Sequence, residues 1–290
     1  MTKQEFRNLL KKGPLILDGA TGSNLRKAGM PAGICTEIWV NEHPEIVQKL
    51  QQAFVDAGSM MVTAPTFMAN EISLKSFGLE REVKRLNLEN VKISKDAVGD
   101  RVLVAGNIST TNQPLEPFGN MTYEKLLNVY KEQISYLLEA GVDYLAAETL
   151  LSLDEAMVIC DAAAAEGNPP ITLSFTCEGD GNLYFGGNIV EAAVILREMG
   201  ADSVGINCSV GPDQLEAIVG NLRENLDIPV LAKPNAGIPM IDEKGNAHYN
   251  MDADTFAQCM KKLRNRGASV IGGCCGTTPE YIAKMCRALG

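Results

Sequence analysis

The chain has 290 residues, of which 46% are hydrophobic and 21% charged, and its formal net charge at pH 7 is −10. This acidic balance without a basic stripe argues against a nucleic-acid partner or an anionic membrane surface. No apolar run approaches the roughly 20 residues that a membrane-spanning helix needs, and no hydrophobic segment of the signal-peptide kind opens the chain. We therefore expect a cytoplasmic protein without nucleic-acid or membrane partners, folded as one domain over residues 1–290.

Short apolar runs alternate with longer helical patterns along the whole chain. The predicted strands are residues 15–20, 60–64, 102–108, 144–149, 171–176, 203–208, 229–233 and 269–274. The predicted helices are residues 44–57, 80–98, 122–140, 154–165, 189–199, 213–225, 252–266 and 279–288. Eight strand and helix units favour an α/β fold of one (β/α)8 TIM barrel.

A doubly wound sheet is the alternative fold. It would more naturally show fewer strands and a phosphate-binding glycine pattern after the first strand. The sequence Asp18-Gly19-Ala20-Thr21-Gly22 follows that strand but lacks the G-x-G-x-x-G spacing. Longer inserts at residues 26–41, 107–120 and 235–250 follow predicted strands, where a barrel carries its active-site loops.

The cysteines give the main chemical signal. Cys208 ends the sixth predicted strand, and Cys274 and Cys275 end the eighth between Gly272-Gly273 and Gly276. Adjacent residues of a regular strand point to opposite faces, so two neighbouring cysteines share an ion only where glycines let the backbone bend. Three thiolates without an obvious fourth partner predict a tetrahedral zinc site with one position open to a substrate. The alternatives are buried thiols without a metal and a Cys274–Cys275 disulfide, which a reducing compartment disfavours.

Such a zinc site suits a thiol substrate. Three thiolates leave the ion a poor Lewis acid, whereas a coordinated thiol loses its proton and is kept as a nucleophile. Lys233 ends the seventh strand and is an alternative, Schiff-base nucleophile of the aldolase type. Cys177 is a possible neighbour of the pocket. The residues that we do not expect to be ligands are Cys35, Cys160, Cys259, Cys286, His43 and His248.

Three motifs together resemble the homocysteine S-methyltransferase family, and in particular the N-terminal homocysteine-binding module of cobalamin-dependent methionine synthase. They are Leu17-Asp18-Gly19-Ala20-Thr21-Gly22, Gly205-Ile206-Asn207-Cys208 and Gly272-Gly273-Cys274-Cys275-Gly276-Thr277-Thr278-Pro279. The resemblance implies zinc on Cys208, Cys274 and Cys275, with homocysteine as the fourth ligand. It also implies methyl transfer to the homocysteine sulfur to give methionine.

The same resemblance suggests a substrate pocket at the rim of the barrel. The family position that matches Glu148 contacts the amino acid, and the one that matches Asp18 lies in the same pocket. We expect the glycine-flanked backbone at Gly19, Ala20 and Thr21 to hold the substrate carboxylate. The remaining predicted substrate-binding residues, which we expect to orient the site, are Asn207 and Asn235.

The sequence does not identify the methyl donor. The sequence shows no folate or cobalamin module, so we expect either an excised or split module that meets a separate corrinoid protein, or the use of a small methyl donor such as betaine or S-methylmethionine. The loop sequences Thr63-Ala64-Pro65-Thr66-Phe67 and Ser109-Thr110-Thr111-Asn112-Gln113 depart from those usual in methionine synthases. Two alternatives to homocysteine methylation are corrinoid-dependent transfer to a different thiol and a non-catalytic zinc-containing barrel that docks a methyl carrier.

Overall fold

Eight parallel strands, buried on both faces, form the centre of the structure, a computed structural model that describes residues 1–242 and 247–290. In the order β1-β10-β7-β6-β5-β4-β3-β2 they make a nearly closed barrel, and β8 and β9 form a separate antiparallel hairpin. The strands are β1 Leu15–Ile16, β2 Met61–Thr63, β3 Leu103–Ser109, β4 Tyr144–Leu150, β5 Ile171–Phe175, β6 Ser203–Asn207, β7 Val230–Lys233, β8 Pro239–Ile241, β9 Ala247–Tyr249 and β10 Ala268–Ile271.

Helices surround the strands and pack their apolar faces against them. Side-chain caps fix several helix starts, with Thr122, Ser152, Asn188 and Asp252 each accepting a hydrogen bond from a backbone N–H of the first turn. The helices are α1 Lys3–Leu10, α2 Gly22–Lys27, α3 Thr36–Glu42, α4 Pro44–Asp56, α5 Glu71–Lys75, α6 Val83–Val98, α7 Tyr123–Glu139, α8 Leu153–Ala165, α9 Ile189–Glu198, α10 Glu216–Asn225, α11 Ala253–Arg266 and α12 Pro279–Leu289, with a 3-10 turn at Pro212–Gln214. No described helix combines the length and the apolar character that crossing a membrane requires.

The predicted TIM barrel is confirmed, and the doubly wound alternative is wrong. Each predicted strand and helix corresponds to an observed one, although the ordered ladder of β1 is much shorter than predicted. The insert at residues 26–41 is not a plain loop, because it contains the end of α2 and most of α3. The insert at residues 235–250 carries the hairpin, and its residues 243–246 lie outside the described part of the chain.

Apolar side chains fill the lower half of the barrel interior. Leu17, Met61, Ala105, Tyr144 and other inward residues of the strands form one buried cluster. Phe6 from α1 is fully buried and joins this cluster from below, with its ring centroid 4.7 Å from that of Tyr144. Helix α1 therefore covers the bottom of the barrel.

The upper half of the barrel interior is polar. It includes the place where β1 and β2, the two ends of the strand order, meet. The Met60 N–H donates to the Ile16 carbonyl at 2.8 Å, just before β2 begins. Above this bond, the Asp18 carboxylate accepts hydrogen bonds from the Thr63 N–H at 2.7 Å and the Thr63 hydroxyl at 3.0 Å. A side chain thus supplies the connection that further backbone pairing would otherwise make.

Lys233 is the buried cation of this polar layer. Its Nζ lies 2.7 Å from Oε1 of Glu148 and 3.3 Å from Oδ1 of Asp18. Burial alone lowers the pKa of Lys233, but the carboxylates of Glu148 and Asp18 outweigh that effect and raise the pKa above its ordinary value. The ammonium therefore stays charged and joins β7 to β1 and β4.

Replacing Phe6→Ala should lower the free energy of unfolding by about 3–5 kcal/mol, because the ring leaves a cavity under the barrel. Denaturant unfolding followed by circular dichroism measures the change. The control is Gln4→Ala on the exposed face of α1, for which we expect a change within about 0.5 kcal/mol. Equal effects of the two changes would show that α1 does not support the barrel.

Replacing Lys233→Met should also lower the free energy of unfolding, by about 3–5 kcal/mol, because Asp18 and Glu148 lose their buried counter-charge. The matched control is Lys262→Met, since Lys262 is exposed and lies 3.8 Å from Glu216. Loss of that surface ion pair should cost no more than about 1 kcal/mol. Urea unfolding at pH 7 gives both values, and a loss at Lys233 no larger than that of the control would contradict our interpretation.

Candidate active site

A cavity of about 270 Å³ opens at the carboxyl ends of the barrel strands. Its lining includes the predicted residues Gly19, Ala20, Thr21, Glu148, Cys208, Cys274 and Cys275. A larger cavity of about 1000 Å³ lies at the opposite end of the barrel, beside α1, and has no cysteine in its described lining. Barrel enzymes carry their chemistry at the carboxyl ends of the strands, so the smaller cavity is the candidate active site.

The three predicted ligand cysteines converge in this cavity. Their sulfur atoms lie within 4.8 Å of one another, and those of Cys208 and Cys275 are 3.5 Å apart. Tetrahedral zinc with bonds of about 2.3 Å to sulfur separates its ligand atoms by roughly 3.8 Å. The three sulfurs therefore fit a single zinc ion.

A turn after β10 brings the two adjacent cysteines to the same ion site. Gly276 has a φ of 85°, and the ring of Tyr249 lies 2.4 Å from where a Cβ on this glycine would be, so a larger residue does not fit there. The Cys274 N–H donates to the Pro234 carbonyl at 2.7 Å. The Cys275 N–H donates to Oδ1 of Asn235 at 3.1 Å.

Asn207 holds the other side of the site. Its Oδ1 accepts from the Thr149 N–H and its Nδ2 donates to the Thr149 hydroxyl, both at 2.8 Å. Thr149 and Cys208 have φ values of 63° and 50°, which are unfavourable for residues with a side chain. The Asn207 amide stabilises the strained end of β4 beside the cysteines, which is typical of a functional site.

Cys275 differs electrostatically from the other buried cysteines, whereas hydrogen bonding among the three thiols, together with burial, leaves the pKa values of Cys208 and Cys274 raised. Hydrogen bonds from the thiols of Cys208 and Cys274 lower the pKa of Cys275. Burial raises the pKa of Cys177 to about 11 and that of Cys160 to about 12. Cys275 is therefore the triad member prepared to be a thiolate, whereas the thiols of Cys177 and Cys160 outside the triad stay neutral and are poor ligands.

Among the described residues, the three predicted ligands form the one group of histidine, cysteine or acidic side chains close enough to hold a metal. Neither Cys177 nor any other cysteine belongs to it. His43 precedes α4, and His248 lies on the exposed β9, where it is paired with Asp242. The protonated state of Lys233 between two carboxylates argues against the Schiff-base alternative.

The predicted substrate-binding residues fall into two groups. Gly19, Ala20, Thr21 and Glu148 line the cavity. Asp18, Asn207 and Asn235 are almost fully buried and lie behind this lining. Their part in substrate binding stays a prediction, and their hydrogen bonds show how they support the wall of the cavity.

The loop after β1 is tied to the loop after β10. The Ala20 N–H donates to the hydroxyl of Thr277 at 3.1 Å, and that hydroxyl donates to the Cys274 carbonyl at 2.7 Å. The Gly276 N–H donates to the hydroxyl of Ser23 at 3.2 Å. These bonds fix the predicted carboxylate-binding loop relative to the cysteines.

Sequence reasoning missed three residues of the site. Glu37 of α3 lines the cavity and accepts from the Met68 N–H at 2.7 Å, and burial raises its pKa. Asn107 near the end of β3 also lines the cavity, and the ring of Tyr249 packs on Gly276, next to Cys275. Only Asn107 had a sequence signal, as a polar residue at the end of a predicted strand. The other two reach the site through tertiary contacts.

Known proteins resemble this chain over most of its length. Curated methionine synthases from Mycobacterium leprae (strain TN) and Mycobacterium tuberculosis (strain ATCC 25618 / H37Rv) are each 27% identical, over 95% and 98% of this chain. The chain spans about a quarter of the length of these relatives, 24% and 25% respectively.

Solved structures share the fold. The oxidized form of the homocysteine methyltransferase MmuM from Escherichia coli has a TM-score of 0.81 and 23% identity, covering 97% of this chain and 98% of that one. The metallated form of the same protein has a TM-score of 0.79, with the same identity and coverage. At this level of identity the likeness concerns the fold alone.

The family comparison covers nearly the whole chain. The family described as "Homocysteine S-methyltransferase" matches residues 15–289, which include all eight barrel strands and the three cysteines of the site. The resemblance inferred from the three sequence motifs is thereby confirmed. The chain belongs to the homocysteine S-methyltransferase family.

Proposed function

We propose that this protein methylates the sulfur of homocysteine and gives methionine, with zinc held by Cys208, Cys274 and Cys275. Family membership makes the chain an S-methyltransferase, as the sequence predicted. The observation that carries the more specific proposal is the convergence of three sulfurs within 4.8 Å in a cavity that reaches them. A zinc site that only stabilises the fold would have a fourth protein ligand, and a substrate would have no access to the ion.

The cysteine triad defines the reacting end of the cavity. Zinc bound there would keep the substrate sulfur deprotonated at neutral pH. In the reaction, the homocysteine sulfur forms a bond to the donor's methyl carbon, and the bond between that carbon and the donor breaks, with its electron pair leaving on the donor. The residues around the triad contribute by fixing the positions of the three cysteines.

The floor of the cavity suits the amino-acid end of homocysteine. Asp18 and Glu148 carry two negative charges and Lys233 one positive charge, so the group has a net charge near −1. A substrate ammonium that leaves water needs such a partner. Glu148 is the better placed of the two acids, because it lines the cavity whereas Asp18 lies behind the lining.

The substrate carboxylate is proposed to lie against the loop of Gly19, Ala20 and Thr21, beside the cysteines. The Ala20 N–H already donates to Thr277. The carboxylate would therefore accept hydrogen bonds from the other backbone N–H groups of this loop. The methyl donor, whether a separate corrinoid protein or a small molecule, would approach the sulfur from the open end of the cavity. If a different thiol were the acceptor, the methyl donor would reach its sulfur from the same end of the cavity.

Replacing Cys208→Ala should remove zinc retention and methyl transfer together, because two sulfurs hold the ion much more weakly than three. Metal analysis after dialysis measures zinc per chain, and an assay of methionine formed with a panel of donors measures transfer. The control is Cys177→Ala, a neighbouring buried cysteine outside the triad, which should keep both properties. Full zinc retention by Cys208→Ala would contradict the proposed ligand set.

Homocysteine should enter the coordination shell of the zinc-loaded protein. X-ray absorption at the zinc edge is expected to show three sulfur neighbours before homocysteine is added and four afterwards. Serine, which has a hydroxyl in place of a thiol, is the control ligand and should leave the sulfur count unchanged. Four sulfur neighbours before any thiol is added would favour a structural zinc site.

A further inference from the structure

Asn107 has a buried amide oxygen that the fold does not use. The residue is 8% exposed, and its Oδ1 has no hydrogen-bond partner among the described residues. Its backbone is held firmly, since the N–H donates to the hydroxyl of Thr66 at 3.0 Å and the carbonyl accepts from it at 2.9 Å. A buried polar atom without a partner is uncommon in folded proteins and calls for an explanation.

The position of Asn107 indicates a ligand rather than a packing defect. In the described part of the chain, eight buried side-chain oxygen or nitrogen atoms lack a partner, and only that of Asn107 belongs to a residue that lines the cavity. The hydroxyl of Ser174 is also unpartnered inside the barrel, but Ser174 is absent from the lining. The Asn107 amide is therefore available to a molecule in the cavity.

Strand register places Asn107 on the strand next to that of Glu148, two residues before Ser109, which is the ladder partner of Glu148. On β3, Ala105 belongs to the apolar cluster inside the barrel, and Asn107 follows two positions later on the same face. On the neighbouring β4, Ala146 belongs to that cluster and Glu148 follows two positions later. Asn107 pairs with Ala146 in the ladder, so Asn107 and Glu148 belong to adjoining parts of the polar upper layer.

Three of the four carboxylate oxygens of Asp18 and Glu148 are already occupied. Oδ2 of Asp18 accepts from the Thr63 N–H, and its Oδ1 accepts from the Thr63 hydroxyl and faces Lys233. Oε1 of Glu148 is bound to Lys233. An ammonium group has three N–H donors, and one free carboxylate oxygen does not satisfy them all.

We propose that Asn107 is a substrate-binding residue whose Oδ1 accepts a hydrogen bond from the ammonium group of homocysteine, next to Glu148. This inference rests on the proposed function, because it takes homocysteine as the thiol in the cavity. It adds Asn107 as a second acceptor for the ammonium group, and it leaves Asp18 to hold Thr63 and Lys233.

The test compares homocysteine with 4-mercaptobutanoate, which keeps the thiol and the carboxylate but has no amino group. Isothermal titration of the zinc-loaded protein gives the affinity of each compound without any methyl donor. Wild type should prefer homocysteine. Asn107→Leu should reduce that preference by about tenfold, through weaker binding of homocysteine and unchanged binding of 4-mercaptobutanoate, because a hydrogen bond to a charged group is lost.

Two further variants sharpen the result. Asn107→Asp keeps an acceptor at the same place and should preserve the preference for homocysteine, and Ser174→Ala removes an unpartnered atom outside the cavity lining and should change neither affinity. Circular dichroism and the affinity for 4-mercaptobutanoate check that each variant is folded. Should Asn107→Leu not fold, Asn107→Ala replaces it in the same comparison.

The outcomes separate this inference from the proposed function. A wild-type preference that persists in Asn107→Leu or Asn107→Ala would overturn the role of Asn107 and leave homocysteine methylation standing. Equal weakening of both compounds would also overturn it, because the effect would then not depend on the ammonium group. Failure of zinc-loaded wild type to bind homocysteine would overturn the proposed function, and this inference with it.

Discussion

The charge of Lys233, buried between Asp18 and Glu148, is the interaction on which both the barrel and the cavity depend. It joins β7 to β1 and β4, and Asp18 extends the link to β2 through Thr63. A buried ion pair is weak evidence for stability, since desolvation of the charges offsets much of their attraction. Its value here is geometric, because it fixes four strand ends around the cavity and leaves the floor with a net negative charge.

The cysteine site is built on the same strand ends. Cys208 follows β6, and its N–H donates to the carbonyl of Lys233 on the neighbouring strand. The turn with Cys274 and Cys275 is held by backbone bonds to Asp18 and Pro234 and by the amide of Asn235. The sulfurs and the ion-paired floor therefore share one rigid frame, as the proposed binding of homocysteine by both of its ends would require.

The sequence was less informative about the loops that enclose this frame. The end of α2, most of α3 and the hairpin of β8 and β9 lie in segments that the sequence analysis treats as inserts, because their ordering depends on contacts with distant residues. Tyr249 is an example, since its ring packs on Gly276, next to Cys275. Glu37 likewise reaches the cavity from α3 and is held by the backbone of Met68. Local patterns carry no information about such pairings.

By itself, the sequence determined the barrel and predicted the cluster of three cysteines, because alternating strands and helices and a glycine-flanked cysteine pair are local patterns that survive any loop arrangement. It also placed Asp18, Glu148 and Lys233 at strand ends. Only the tertiary structure decided that Lys233 pairs with both acids, that Asp18 is occupied by Thr63, and that Asn107, a residue of the cavity lining, has a buried amide oxygen without a partner. Hydrogen-bond partners depend on which strands adjoin and on distances of a few ångströms between residues far apart in the chain, and the order of residues does not specify these distances.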